Sequence, residues 1–139
     1  MTEMPKIIIA EADGLCFGDY SAKEKIKVND FAHMGDVYSL RAHNLVTRLE
    51  KNGELLFESV PGVAIFGFDC AGDNCRFEIE SPANVQITLG MAPETKYDLA
   101  IGTAITSQTH EEITANRSGK LSFGVQFEGE KKKVALQKL

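Results

Sequence analysis

Residues 45–60 read LVTRLEKNGELLFESV and hold the clearest fold signal of the chain, an Asn-Gly pair between two strand-like segments. Asn52 and Gly53 are residue types that adopt the two positive φ angles of a type I′ turn, whose twist suits a two-residue β-hairpin. The sequence therefore predicts a hairpin centred on this pair. Counting outward from the turn, the expected opposite pairs are Lys51 with Glu54, Leu49 with Leu56, Leu45 with Val60, and Arg48 with Phe57.

A helical pattern competes with the hairpin in the same segment. The i, i+3, i+4, i+7 spacing of a helix face is met by Ala42, Leu45, Val46 and Leu49. Residues 40–50 therefore fit either a strand or a helix. We favour the hairpin because no helix-capping residue followed by Glu or Gln precedes the segment, and because the Asn-Gly pair has no role in a helix.

Beyond Pro61 the strand signals recur every 8–12 residues, which is typical of a sandwich or barrel. Apolar and polar residues alternate in several of these segments, so each offers one face to a core and one to water. Leu121–Phe127 alternates over the longest distance and is expected to be a central or near-central core strand. The predicted strands are Val63–Asp69, Cys75–Glu80, Val85–Leu89, Lys96–Ile101, Leu121–Glu128 and Lys133–Gln137.

The N-terminal part adds strands to this pattern. Lys6–Ala10, Gly14–Tyr20 and Gly35–Leu40 have strand character, whereas residues 21–34 and 103–118 show no clear strand pattern. No Pro/Gly/Ser-rich linker divides the chain. We therefore predict one all-β domain over residues 1–139, an antiparallel β-sandwich of fibronectin III/Ig-like or jelly-roll-like type, with extra N-terminal strands and the hairpin in 1–60 and a core in 61–139.

Composition narrows the partners. Fifteen Lys plus Arg against twenty Asp plus Glu give a net charge of −5, which argues against a nucleic-acid surface. Apolar runs are far shorter than the roughly 18 residues of a membrane span. The N-terminus has no secretory leader pattern, so the chain as given is expected to be cytoplasmic, with an extracellular or surface location left open.

Three cysteines form an odd set, which suits a reducing compartment. Cys16 has the character of a small buried apolar residue between Leu15 and Phe17. Cys70 and Cys75 flank a predicted hairpin turn; free thiols are the first interpretation, and a disulfide requires their Cα atoms within about 7 Å. Zinc would need two more ligands, and no histidine has finger-like spacing to this pair.

Residues 91–101 read MAPETKYDLAI. This stretch resembles the loop between strands E and F of fibronectin type III and related sandwiches, in which an apolar residue, Pro, Thr and Tyr occupy alternate positions; Met91 stands where Leu is usual. The resemblance implies a tyrosine corner, in which Tyr97 buries its ring at the start of a strand and its hydroxyl bonds a main-chain group a few residues upstream.

Six other pieces resemble a group of short bacterial proteins often labelled endosialidase. They are residues 11–14 (EADG), 17–20 (FGDY), 35–38 (GDVY), 49–53 (LEKNG), 57–62 (FESVPG) and 118–123 (SGKLSF). The resemblance implies a glycan-active enzyme. Sialidase chemistry uses an arginine cluster, however, and this chain has four arginines at scattered positions and no Ser-His-Asp or His-x-x-x-His pattern. We therefore assign no catalytic residue and no cofactor.

Loop-proximal aromatic residues are the candidates for ligand contact, since rings serve as platforms for sugars and the chain has no Trp. The candidates are Tyr20, Phe31, Tyr38 and Phe66. Oxygen ligands for calcium are available in Asp69, Asp73 and Asn74. The leading hypothesis is a non-catalytic interaction module that binds a glycan or a protein and self-associates as a homo-oligomer. The alternatives are a glycan-active enzyme and a structural or assembly protein of a larger particle.

Overall fold

The computed structural model of the chain describes residues 8–11, 14–18, 20, 23–33, 35–71, 74–102, 109–127 and 131–139. Thirteen β-strands cover most of these residues, and no helix occurs among them. The strands are β1 (Ile8–Glu11), β2 (Gly14–Phe17), β3 (Ile26–His33), β4 (Asp36–Ala42), β5 (Thr47–Lys51), β6 (Glu54–Val60), β7 (Ala64–Ala71), β8 (Asn74–Glu80), β9 (Val85–Gly90), β10 (Lys96–Gly102), β11 (Thr109–Thr114), β12 (Lys120–Val125) and β13 (Lys132–Lys138).

The strands form two antiparallel sheets, which confirms the predicted β-sandwich. The seven-stranded sheet has the order β1-β2-β7-β8-β13-β10-β11, and the six-stranded sheet has the order β12-β9-β6-β5-β4-β3. Strands from before and after Pro61 take part in both sheets: β1 and β2 extend the first, while β3–β6 supply four strands of the second. No helix among the described residues has the length and hydropathy to cross a membrane.

Four phenylalanine rings join the two sheets. Phe57 extends from β6 of the six-stranded sheet towards Phe17, Phe68 and Phe77 of the seven-stranded sheet. Neighbouring centroids lie 5.3–5.8 Å apart, mostly in edge-to-face arrangement, the geometry that aromatic quadrupoles favour. The core therefore lies between the sheets, as alternation of apolar and polar residues along the strands requires.

The hairpin at Asn52 and Gly53 is present, and both residues have positive φ, 52° and 84°. Of residues 40–50, 40–42 and 47–50 are strand and 43–46 connect them, so none is helix and the hairpin strand begins at Thr47 rather than at Leu45. The Asn52 side chain also ties the turn to β4, because its Oδ1 accepts from Val37 N–H at 3.0 Å and its Nδ2 donates to Asp36 at 2.9 Å. The hydrogen bond from Asn52 Nδ2 lowers the pKa of the Asp36 carboxyl.

The predicted register of this hairpin is correct only next to the turn. Lys51 lies opposite Glu54, but Leu56 is an extra residue that opposes nothing, so Leu49 pairs with Phe57 and Arg48 pairs with Glu58. The predicted pairs of Leu49 with Leu56, of Arg48 with Phe57 and of Leu45 with Val60 are therefore wrong, and Leu45 lies before the start of β5. The physical reason is that a one-residue bulge reverses the faces of a strand and turns Phe57 into the core.

A second bulge has the same effect in β7. Gly67 and Phe68 together oppose Phe77, because Phe66 pairs with Glu78 and Asp69 pairs with Arg76. Gly67 accommodates the bulge with a φ of 60°. Phe66 consequently lies on the outer face of the sheet, while Phe68, two residues later, is only 3% exposed in the core.

Two strands lie where the sequence shows no clear pattern, and one lies at an unexpected place. The alternation in β3 is interrupted by a register shift between Val28 and Phe31, where Asp30 has a φ of 58°. β11 has five exposed residues and no apolar face. β12 is an edge strand, so the prediction that it is central or near-central is wrong; its apolar side chains are in the core as predicted, because the facing sheet buries them.

Cys70 and Cys75 form a disulfide, so the first interpretation of free thiols is wrong for this pair. The register of β7 and β8 places the two residues directly opposite each other, with Cα atoms 4.0 Å apart. The Sγ atom of Cys70 also lies 3.6 Å from Sδ of Met91. Cys16 is outside this bond and is buried, as expected from its apolar neighbours.

Tyr97 has the geometry that the sequence predicted. It lies at the start of β10 with a side chain that is fully buried, and its hydroxyl oxygen accepts a hydrogen bond from the main-chain N–H of Ala92 at 3.2 Å. The bond holds the connection between β9 and β10, which crosses from one sheet to the other.

Substitution of Gly53 by Ala should destabilise the protein by about 1–2 kcal/mol, because an L-residue is strained at this φ. An added Cβ would meet no atom within 4 Å, so backbone strain is the whole effect. Chemical denaturation measures it. Gly124→Ala is the control, since Gly124 has no positive φ and ordinary Cβ contacts; equal losses in the two variants would contradict the turn assignment.

Alkylation with iodoacetamide tests the Cys70–Cys75 disulfide, because it modifies only free thiols. Unfolded in denaturant without reductant, the chain should take up one iodoacetamide, at Cys16, and after reduction it should take up three, as read by intact mass. Uptake of three groups before reduction, in protein purified without reductant, would contradict the Cys70–Cys75 bond.

Tyr97→Phe should lower the free energy of unfolding by about 1 kcal/mol, because the ring remains while the hydroxyl acceptor for Ala92 N–H is removed. Urea unfolding of both proteins gives the difference. An unchanged midpoint and slope would show that the hydroxyl does not stabilise the corner.

Candidate functional site: a groove across the seven-stranded sheet

The outer face of the seven-stranded sheet carries three parallel rows of side chains. Directly opposite residues of antiparallel strands share a face, so the register defines the rows. The first row is Phe66, Glu78, Lys133 and Gly102; the second is Asp69, Arg76, Ala135, Ala100 and His110; the third is Asn74, Gln137, Asp98 and Glu112.

The middle row produces a depression because it has small residues at its centre. Ala135 on β13 extends only a methyl group between the long side chains of the flanking rows. Two adjoining hollows of about 320 and 430 Å³ lie above β7, β8 and β13, and both include Arg76 and Ala135. We call this surface the outer groove. Its outward side chains are Phe66, Asp69, Asn74, Arg76, Glu78, Lys133, Ala135 and Gln137.

One end of the outer groove is aromatic. The bulge at Gly67 places the half-buried ring of Phe66 on this face, opposite Glu78. The ammonium group of Lys131 lies 4.2 Å from the ring centroid, a cation–π contact. An apolar surface with a cationic rim is therefore present at this end.

The other end of the outer groove is rich in hydrogen-bonding groups. Asn74 and Gln137 lie directly opposite each other, and both are exposed. Asp69 and Arg76 form an ion pair at 3.8 Å, with side chains 60% and 71% exposed. Such an exposed pair adds little stability, so both groups remain able to exchange this contact for a ligand.

Beyond β13 the same face continues into a charged edge. His110 Nδ1 lies 2.9 Å from a carboxylate oxygen of Asp98, and Lys96 Nζ lies 3.6 Å from Glu112. These exposed pairs join β11 to β10 across the outer face and lie at the edge of the sheet beyond the outer groove.

The four aromatic candidates do not form one binding surface. Phe31 and Tyr38 lie opposite each other in the six-stranded sheet, where Tyr38 is only 7% exposed and burial raises the pKa of its phenol. Such burial leaves almost none of the Tyr38 ring for a ligand. Tyr20 donates to Glu80 at 2.9 Å. Of the four, Phe66 is the one in the outer groove.

The calcium candidates separate in the same way. Asp69 and Asn74 lie in the outer groove, and Asp73 lies outside the described residues. Asp69 is paired with the Arg76 cation, which would repel a metal ion. Within the described part of the chain no three His, Cys, Asp or Glu side chains are grouped as a metal site would require.

Residue patterns did not single out most of the outer groove. Arg76, Glu78, Lys133 and Gln137 alternate with apolar residues and look like ordinary wet positions of β8 and β13. The useful signal is Ala135, a small residue on the polar face of an otherwise Lys- and Gln-bearing strand. Its meaning depends on the pairing of β13 with β8, strands that are far apart in the sequence.

Together these observations define an antiparallel two-sheet β-sandwich with an open, polar groove on one outer face. Comparisons with models of known protein families, with curated proteins and with solved structures gave no match for this chain.

Proposed function

We propose that the chain is a non-catalytic carbohydrate-binding module and that the outer groove is its binding surface. The observation that carries this proposal is the combination of one aromatic ring, two amides and several exposed charged groups around the alanine floor. Sugar rings have apolar C–H faces and rims of hydroxyl groups, so they need both kinds of contact from one surface.

The side chains of the outer groove match those two needs. The Phe66 ring offers a face for C–H groups, while the amides of Asn74 and Gln137 each provide a donor and an acceptor for hydroxyls. The Ala135 methyl leaves room for a ring to approach the sheet. All of these residues are on strands, so their backbone is already held in position before a ligand binds.

The size of the outer groove suits a short oligosaccharide rather than a single sugar. It crosses three adjacent strands, β7, β8 and β13, which are about 4.8 Å apart. The hollows are open rather than enclosed, so an internal segment of a longer glycan fits as well as a terminus.

A second candidate is a glycan-active enzyme that uses the same surface. The specific observation in its favour is that Asp69 and Glu78 are both on the outer groove, and glycoside hydrolysis uses a pair of carboxyl groups. Binding without catalysis is the better-supported function, because Asp69 is 60% exposed and ion-paired with Arg76, whereas a catalytic acid is normally desolvated.

The test is an oligosaccharide array followed by calorimetry with the best ligand, on the intact chain and two variants. Ala135→Leu places a larger side chain on the groove floor and should weaken binding at least about ten-fold, or 1.4 kcal/mol. Ala32→Leu is the matched control, an exposed strand position on the other sheet, and should bind like the unmodified protein. Melting temperatures of all three proteins verify folding.

Two results would overturn the proposal. The first is that no oligosaccharide binds, or that Ala135→Leu binds as tightly as the unmodified protein while still folded. The second is release of new reducing ends from a bound glycan that is lost in Glu78→Gln and Asp69→Asn, which would make the outer groove an active site.

A further inference from the structure

The outer face of the six-stranded sheet, on the opposite side of the molecule, has three cations in one row. Lys27 on β3 lies directly opposite Arg41 on β4, and Arg41 lies directly opposite Arg48 on β5. The row continues with Glu58 on β6. Like charges at directly opposite strand positions repel each other, so this arrangement does not serve stability.

The positive charge of Arg48 is paired with two carboxylates. Its Nη1 donates to Glu58 at 2.8 Å, and its Nε donates to Glu50 at 3.2 Å. The bond to Glu58 is the main reason why the pKa of the Arg48 guanidinium is raised. Arg48 is therefore held in position by two carboxylates, Glu58 on the neighbouring strand β6 and Glu50 on its own strand β5.

Lys27 and Arg41 have no such carboxylate. Both side chains are exposed, and neither forms an ion pair within the described part of the chain. The three cations of the row, together with the carboxylates of Glu50 and Glu58, have a summed charge of +1, in a molecule whose net charge is −5. A ligand with one negative charge would balance this patch.

A small cleft lies beside the two arginines. Arg41, Arg48, Glu50, Asn29 and Ser39 line it, and its volume is about 60 Å³. One water molecule occupies about 30 Å³ in the liquid, so the cleft has room for a group as small as a carboxylate. The Asn29 amide and the Ser39 hydroxyl are neutral donors at its wall.

We propose that this cleft is a second binding site, which takes a single carboxylate group on the guanidinium of Arg41, with Lys27 adding charge. The planar fork of arginine donates two parallel hydrogen bonds to a carboxylate. Glu50 also lines the cleft and already accepts from Arg48, so it limits the charge that the site accepts to one. The site does not depend on the outer groove, because the two surfaces are on different sheets.

The experiment follows amide and arginine Nε–H resonances of the ¹⁵N-labelled protein during titration with glucuronate, acetate and glucose at constant ionic strength. Glucuronate has a carboxylate on a sugar, acetate has the carboxylate alone, and glucose has neither. Saturable shifts centred on Lys27, Arg41 and Arg48 with glucuronate or acetate, and none there with glucose, are the expected result. Tighter binding of glucuronate would assign a sugar acid as the natural class; equal binding would assign recognition of the carboxylate alone.

Arg41→Gln tests the assigned residue. It should weaken carboxylate binding at least about ten-fold and leave the melting temperature equal or higher, because it removes a like-charge contact rather than a stabilising one. Arg117→Gln, the same change at an exposed turn position, should leave binding unchanged. The proposal is wrong if the resonances of Lys27, Arg41 and Arg48 show no saturable shift up to about 50 mM ligand. It is also wrong if sulfate binds at these residues more tightly than acetate, or if Arg41→Gln binds the carboxylate as tightly as the unmodified protein.

Discussion

The packing of the two sheets against each other depends on the ring of Phe57. From β6 it meets Phe17, Phe68 and Phe77 of the facing sheet at centroid separations of 5.4–5.8 Å, and it is fully buried. Two bulges make this cluster, since the extra residue Leu56 turns Phe57 inward and the pair Gly67–Phe68 turns Phe68 inward. Without the β6 bulge, Phe57 would lie on the outer face opposite Arg48.

The requirement that these rings be inside determines the outer faces as well. Once Phe57 faces the core, its neighbour Glu58 faces outward, where it reaches Arg48. Once Phe68 is inside, its neighbour Asp69 is outside, and the bulge at Gly67 and Phe68 keeps Phe66 outside as well. Core packing thus determines which side chains form the outer groove and the row of Lys27, Arg41 and Arg48. A strand has a period of two residues, so each inward position places its immediate neighbours on the solvent face.

Sequence patterns predicted elements better than they predicted partners. The β5–β6 hairpin follows from Asn52 and Gly53, but its register could not be counted past the bulge. The buried hydroxyl bond of Tyr97 follows from a local spacing. β3 and β11 were missed because a bulge interrupts one alternation and an edge position removes the need for the other. In the candidate site, Phe66, Asp69 and Asn74 were named in advance, while Arg76, Ala135 and Gln137 were not.

The sequence by itself determined the class of fold, the hairpin turn and the Tyr97 corner. These depend on φ preferences, on two-residue alternation and on hydrogen bonds between residues close in the chain, all of which are local properties. The tertiary structure decided that β13 lies between β8 and β10, that Cys70 bonds Cys75, and that Lys27, Arg41 and Arg48 stand in one row. Strand order and register are set by core packing between distant segments, so the surfaces that they assemble appear only in the folded molecule.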